Sequence, residues 1–330
     1  MLYPVIDLHC DMLSYLSKIS KADPNNSEEI GCSIPYMNDG NVKIQTLAIY
    51  SGGDSTGYNR LTSNQIEWYK KLISKYPANL IELREFGNLE NALDSLKTAL
   101  IPSIENASVL ADEDQPVEEA FTALDKIIDQ VGKPLYISLT HHGENRFGGG
   151  NYTEAGLKND GKKLLEYIAE KNITIDFSHT SDALSYGILE HITKKGLEMR
   201  IIASHSNYRK IFDHKRNLPD DLAKEIINRD GLIGVNFLRA FMHNEDPSYM
   251  MKHIEHGLKL GGEKTIAFGA DYFYTADHPD YHNRVPFYHK GHEDASKYQS
   301  ILAQIESEFG EKIAQSIAHA NALRFIKETI

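Results

Sequence analysis

The feature that most constrains this chain is an eightfold alternation of short apolar runs with longer segments of helical spacing. The runs are Pro4 to His9, Val42 to Tyr50, Ala99 to Glu105, Pro134 to His141, Ile173 to His179, Arg200 to His205, Gly231 to Phe237 and Thr265 to Asp271. Helical candidates lie between them at Asn59 to Tyr76, Pro116 to Val131, Glu154 to Lys171, Ser181 to Lys195, Pro219 to Arg229 and Pro247 to Leu260. Two more, Ala295 to Phe309 and Glu311 to Lys327, follow the last run. Thr153 and Ser181 stand where N-caps belong, and Pro219 and Pro247 where a first helical turn accepts proline. Near-continuous apolar strands separated by helices read as a parallel sheet. Eight such units close into an α/β barrel of the (β/α)8, or TIM-barrel, type.

A doubly wound open sheet would carry a glycine-rich turn after its first strand. The turn here is Cys10-Asp11-Met12-Leu13-Ser14, and no G-x-G-x-x-G occurs. Gly156 to Lys163 approaches a phosphate-binding loop but puts Lys163 where a hydroxyl must hold magnesium, inside a helical pattern. With no linker and no internal repeat beyond the alternation itself, residues 1–330 read as one domain. A bare barrel needs about 250 residues. The surplus falls after strand one (Leu13 to Asn41), strand two (Ser51 to Thr98) and strand eight (Tyr272 to Asp294), so the insertions sit on the C-terminal face.

The net charge of −12 repels polyanions, which excludes nucleic acid as a partner. Cys10 and Cys32 are too few for a disulfide framework and point to a reducing compartment. No secretory leader pattern and no run of eighteen apolar residues is present, so the expected location is cytoplasmic, without a membrane partner.

The ends of the eight runs carry the chemistry: His9 and Asp11, Tyr50, Glu105, His141, His179, His205, Asn236 and Asp271. Alternation along the first strand sends His9 and Asp11 to one face and Cys10 to the other. Barrel strand ends converge on one mouth, and four histidines gathered there with carboxylates form a metal site. Nitrogen and carboxylate donors suit zinc first, with manganese, iron or cobalt as alternatives. A glutamate among four histidines can bridge two ions, and an ion pair activates water for hydrolysis. A serine hydrolase is disfavoured: Ser178-His179 and Ser204-His205 are strand neighbours that should face opposite ways, and no G-x-S-x-G elbow exists.

His9-x-Asp11 after Asp7, Leu139-Thr140-His141, Ile175-Asp176-Phe177-Ser178-His179, and Ser204-His205-Ser206 followed by Arg216-Asn217-Leu218-Pro219-Asp220 together resemble the membrane (renal-type) dipeptidases, peptidase family M19 of the amidohydrolase superfamily. Phe268-Gly269-Ala270-Asp271, Glu293-Asp294-Ala295-Ser296-Lys297-Tyr298 and Asn321-Ala322-Leu323-Arg324 extend the resemblance over nearly the whole chain. It implies two Zn2+ ions per chain, with His9 and Asp11 on one, His179 and His205 on the other, and Glu105 bridging. It further implies that His141 stabilises the oxyanion and that Asp271 moves a proton from a metal-bridged hydroxide to the leaving amine. Arg216 would bind the substrate's terminal carboxylate. The implied activity is hydrolysis of free dipeptides, including those with a C-terminal D-residue, by a homodimer.

Family members commonly follow the bridging Glu with Gly and the last-strand Asp with Phe-Asp-Gly. This chain has Asn106-Ala107 and Tyr272-Phe273-Tyr274 instead. The aromatic triplet is expected to form part of the substrate wall, and His278, His282, His289 and His292 to be exposed loop polar groups. Two other readings keep weight: the same metals acting on a cyclic amide, lactone or N-acyl amino acid, and a non-catalytic binding relative. The second would be favoured by a missing ligand, and none is missing.

Overall fold

The computed structural model describes residues 2–52 and 57–330. Its strands are β1 (Val5–Cys10), β2 (Val42–Tyr50), β3 (Leu80–Glu82), β4 (Thr98–Glu105), β5 (Tyr136–Ser138), β6 (Thr174–Asp176), β7 (Ile201–Ala203), β8 (Leu232–Val235) and β9 (Ile266–Phe268). Every pairing is parallel. The ladder runs β2-β1-β9-β8-β7-β6-β5-β4, and β2 pairs with β4 to close the ring. Eight strands therefore form the (β/α)8 barrel that the alternation predicts. The short β3 is additional: it pairs only with the N-terminal half of β4, alongside which β5 is too short to reach. It falls within the stretch after β2 that the sequence assigns to an insertion, part of which lies outside the described residues.

Buried side chains sort into two clusters by strand parity. Ile6, Leu8, Ile44, Ile101, Tyr136, Ile202, Leu232 and Ala267 fill the barrel, and Phe325 and Ile326 of the last helix, Asn321–Thr329, pack against them. Residues of the opposite parity, such as Val5, Leu100, Ile137, Ile201 and Ile266, face the surrounding helices. Gly234 and Gly269 are required at the upper rim, since a Cβ on either would lie 1.9 Å from the Ser204 carbonyl oxygen.

Most helices lie where spacing places them: Arg60–Lys75, Val117–Val131, Asp182–Lys195, Asp220–Asn228, Tyr249–Lys259 and Tyr298–Phe309. Ser181 caps its helix by accepting from the Leu184 N–H at 3.0 Å. Pro219 occupies an N-cap position. Thr153 does not cap. Its hydroxyl donates to the Gly150 carbonyl in a local turn, and that helix begins only at Asn159. The final run is helical throughout, interrupted by one wider π turn at Ser316–Ala320. Among the described residues no helix is long and apolar enough to cross a membrane.

Asp7 fastens the barrel closure. Its carboxylate is fully buried and accepts from the His9 N–H (2.9 Å), Gln45 Nε2 on β2 (2.9 Å), the Ala270 N–H past β9 (3.0 Å) and the Tyr298 hydroxyl. Three strands and a helix thus meet on one anion, whose loss would leave several buried donors unsatisfied. Asp7→Ala is expected to lower unfolding free energy by about 2–4 kcal/mol, read from the urea midpoint. A shift equivalent to less than about 0.5 kcal/mol would mean that the four donors find other acceptors.

Candidate metal centre

His9 reaches the barrel axis by a route other than simple alternation. Leu8 already packs inside the barrel, and a register shift between Asp7 and Cys10 turns the next residue inward as well. Asp11 lies beyond the strand, at the N-cap position of the helix Met12–Lys18, with its N–H on the Tyr272 carbonyl at 2.9 Å. The two still converge, with His9 Nε2 3.8 Å from Asp11 Oδ2. His9 Nδ1 lies 2.7 Å from the Tyr136 hydroxyl, which itself donates to the Leu8 carbonyl. The hydroxyl must therefore accept from Nδ1–H, which leaves the Nε2 lone pair facing the cavity.

Glu105, the last residue of β4, divides its carboxylate between His9 on one side and His179 with His205 on the other. Oε2 is 3.6 Å from His9 Nε2, while Oε1 is 3.1 Å from His179 Nε2 and 3.4 Å from His205 Nε2. The Nε2 atoms of His179 and His205 stand 3.1 Å apart. Nitrogen lone pairs at that distance repel unless a proton or a cation lies between them.

His205 is oriented by the serine beside it, contrary to the strand-alternation argument. The Ser204 hydroxyl is 2.6 Å from His205 Nδ1 and donates to Asp176 Oδ2 at 2.6 Å, so it accepts from Nδ1–H. Alternation fails because β7 ends at Ala203, and Ser204 and His205 occupy the turn beyond it. Asp176 also accepts from the backbone N–H groups of Ser178 and Ser204, which joins the ends of β6 and β7. Ser204 is fully buried and serves to position His205, not to attack a substrate.

The remaining strand-end residues complete the rim. His141, His179 and Asp271 each lie three residues past a strand, and His179 (φ 66°) and Asp271 (φ 63°) adopt the left-handed conformation. Such strain concentrates at functional sites, and here it falls in the turns that bring the two side chains beside Glu105 and His9. Asp271 Oδ1 is 3.7 Å from His9 Nε2, and Oδ2 accepts from Asn236 Nδ2 at 2.8 Å. The His141 ring packs against those of Tyr50, His142 and His179. Arg216 is buried, donating to Ser206 Oγ (2.7 Å) and the His205 carbonyl (2.9 Å), with Nε unpartnered and its guanidinium over the Phe241 ring. Above them opens a cavity of about 770 Å3 lined by Asp11, Glu105, His141, His179 and Asp271, among others; Arg216 stands behind this lining.

Burial sets the electrostatics. It pushes the Glu105 carboxyl well up, aided by the negative charges of Asp11 and Asp271 and opposed by His9. It likewise raises Asp271 to about 6. Burial drives His141, His179 and His205 well below the ordinary imidazole range and so keeps them neutral. For His9 burial acts the same way, but Tyr136, Glu105 and Asp11 outweigh it, and its pKa rises well above normal. His9 Nε2 and Asp11 Oδ1 are buried without hydrogen-bond partners. Ligand atoms of His9, Glu105 and His205 lie within 4.8 Å of one another, as do those of His9, Asp11 and Asp271. Neutral imidazoles, excess carboxylate and unpartnered donor atoms fit divalent cations.

All the residues that the sequence nominates are brought together. It misses the supports: Asp7, Tyr136, Asp176 and Ser204, along with His142, whose Nδ1 is 2.9 Å from Asn151 Oδ1. A buried Asp two or three residues before a ligand histidine, as in Asp7 before His9 and Asp176 before His179, was the available signal. Of the aromatic triplet, Phe273 and Tyr274 line the cavity, whereas Tyr272 is buried against Tyr288 and donates to the His292 carbonyl. His289 and His292 are also buried, not exposed loop groups. Asn106, where the family resemblance leads one to expect glycine, has φ 69°, a positive value that asparagine adopts more often than most residues other than glycine.

Residues 2–330 match the sequence model of the membrane dipeptidase family, peptidase family M19. An uncharacterised dipeptidase of Schizosaccharomyces pombe is 30% identical over 205 residues, which are 59% of this chain and 46% of that protein. The chain thus matches about half the length of that relative. Among solved structures, dipeptidase AC, a metallopeptidase of family M19, superposes with a TM-score of 0.82 at 17% identity, covering 100% of this chain and 99% of that one. A metallopeptidase from Rhodobacter sphaeroides, liganded with a phosphinate mimic of the dipeptide L-Ala-D-Ala, superposes with a TM-score of 0.81 at 17% identity over 100% of both chains.

The raised carboxyls give metal binding a definite pH dependence. A group whose folded pKa exceeds its unfolded value contributes stability at low pH that is lost as pH rises through the folded value, which is about 6 for Asp271. Cations that pair with the ionised forms remove that loss, so the melting-temperature gap between metal-loaded and chelated protein should widen from pH 5 to pH 8. A flat or narrowing gap would contradict this assignment. Asp176→Asn should weaken metal affinity about 10–100-fold through the released Ser204–His205 pair, measured by chelator competition.

Proposed function

Because the chain belongs to the membrane dipeptidase family, peptidase family M19, we propose that it is a zinc-dependent dipeptidase whose 330 residues form one domain holding two Zn2+ ions. The observation that carries this reading is the division of Glu105, with Oε2 toward His9 and Oε1 toward His179 and His205. His9 and Asp11 would hold one ion, His179 and His205 the other, and Glu105 both. Bound there, the metals supply Lewis acidity and a lowered water pKa.

The chain's own residues supply the rest. Asp271, raised to about 6 and steadied by Asn236, can accept a proton near neutrality and return it to the leaving amine. Tyr50 keeps its phenolic proton, because burial and the charges of Glu105, Asp11 and Asp271 all raise its pKa. Its hydroxyl lies 3.5 Å from His141 Nδ1, at the outer limit of a hydrogen bond, and favours the tautomer with Nε2–H free to donate to a developing oxyanion. Arg216 retains an unpartnered Nε and one unused N–H on each terminal nitrogen for a carboxylate. The Rhodobacter sphaeroides neighbour, with its mimic of L-Ala-D-Ala, supports including substrates with a C-terminal D-residue.

The position of Arg216 behind the cavity lining favours a second reading, hydrolysis of a cyclic amide, lactone or N-acyl amino acid by the same residues.

Metal analysis of the active protein should find two ions per chain; full activity with one would overturn the dinuclear assignment. Asp271→Asn should retain metal and lose several kcal/mol of transition-state stabilisation. A near-normal kcat would move the proton transfer to another group. Native enzyme should cleave a free dipeptide far faster than its C-terminal amide, and Arg216→Ala should lose about 2–4 kcal/mol in kcat/KM on the free acid alone. Equal turnover of acid and amide by the native enzyme would favour the second reading.

A further inference from the structure

One cation on the cavity wall is not used by the mechanism above. Lys18 ends the helix Met12–Lys18, stands exposed on the cavity lining, and holds its ammonium 5.2 Å from the centre of the Tyr50 ring. The other two basic side chains on that wall are committed. Arg239 donates to the carbonyls of Asn244 and Pro286, and Arg284 pairs with Asp280 at 3.2 Å. Among the described residues no carboxylate lies within ion-pairing distance of Lys18, and its ammonium makes no hydrogen bond. An aromatic face satisfies an ammonium only in part, so a positive charge without a carboxylate partner is left on the wall of the cavity.

Barrel order says which end of a substrate meets it. Around the ring β1-β2-β4-β5-β6-β7-β8-β9, three strands separate β2 from β7 in either direction, so the two lie diametrically opposite. Tyr50, under Lys18, ends β2. Arg216 is bonded to His205 and Ser206, just past β7. A dipeptide whose terminal carboxylate points to Arg216 therefore extends its N-terminal residue toward Lys18 and Tyr50.

We propose that Lys18 is a specificity-determining residue that selects dipeptides with an acidic side chain, aspartate or glutamate, on the N-terminal residue. This rests on the dipeptidase reading. A side-chain carboxylate would give Lys18 a charge-assisted hydrogen bond, a neutral side chain would leave the ammonium unpaired, and a basic one would be repelled. The phenol rings of Tyr15, Tyr50 and Tyr274 on the same wall can pack against the methylenes of such a side chain.

The test is kcat/KM of the zinc-loaded protein on isosteric pairs: Glu-Ala against Gln-Ala and Asp-Ala against Asn-Ala, with Ala-Glu against Ala-Gln probing the other end. Native protein should favour Glu-Ala over Gln-Ala by about tenfold, less at high salt, with no comparable preference for Ala-Glu. The ratio should fall to near one in Lys18→Met, persist in Lys18→Arg, and give way in Lys18→Glu to a preference for Lys-Ala over Glu-Ala. A native ratio near one overturns the proposal, as does a preference that survives in Lys18→Met or appears only at the C-terminal residue. If the native protein cleaves none of these dipeptides but opens a lactone or an N-acyl amino acid, the dipeptidase reading falls and this proposal with it.

Discussion

Seven ionisable side chains crowd one barrel mouth, and added positive charge would make them compatible. Burial, and after it the negative charge of neighbouring carboxylates, raises the Glu105 and Asp271 carboxyls. His141, His179 and His205 are too buried to supply protons as counter-charge. At His9 burial again lowers the pKa, but Tyr136, Glu105 and Asp11 together outweigh it. Divalent cations would relieve every one of these conflicts at once, so the site is held in a form whose stability is linked to metal binding.

Holding such a site needs support that does not itself add to the repulsion. Asp7 and Asp176 provide it, and they do so symmetrically. Each is fully buried, each accepts backbone N–H groups from its own and a neighbouring strand end, and each stands beneath a ligand histidine. Their negative charge is absorbed by donors: Gln45 and Tyr298 for Asp7, and Ser204 for Asp176. Tyr136 and Ser204 then fix the tautomers of His9 and His205 through Nδ1, so that both present Nε2 lone pairs toward Glu105. The hydrogen bonds that close the barrel thus also aim its ligands.

This division explains what could be read from the residues alone. Eight apolar runs and the polar residues ending them are local signals, and they locate the barrel and the polar side chains gathered at its mouth. The reasons given for individual side chains fare less well. His9 and Asp11 do not share a strand face, and Ser204 does reach His205, because β1 ends after six residues and β7 after three, and the residues beyond are governed by turns. Left-handed backbone at His179 and Asp271 carries only a weak sequence signal, since His and Asp adopt it more often than most residues other than glycine but still rarely. Strand β3 was illegible for a related reason: its three residues gain their partner only because β5 is short.

The wall of the cavity follows different rules from its floor. Floor residues are fixed by strand ends and by the two buried aspartates, whereas Lys18, Phe273, Tyr274 and His278 come from the inserted segments after β1 and β9. Tyr272 joins these levels: its ring is buried against Tyr288 and Tyr298, its carbonyl accepts the Asp11 N–H, and its neighbour Phe273 faces the cavity. The aromatic triplet therefore does two jobs, with one residue locking the insertion onto the metal floor and two shaping the space above it. Because the lock bonds through a backbone carbonyl, the exposed members of the wall can differ in size and charge while Asp11 stays in place. The inserted segments, Lys18 among them, are accordingly the part of the cavity wall that can vary without disturbing the floor.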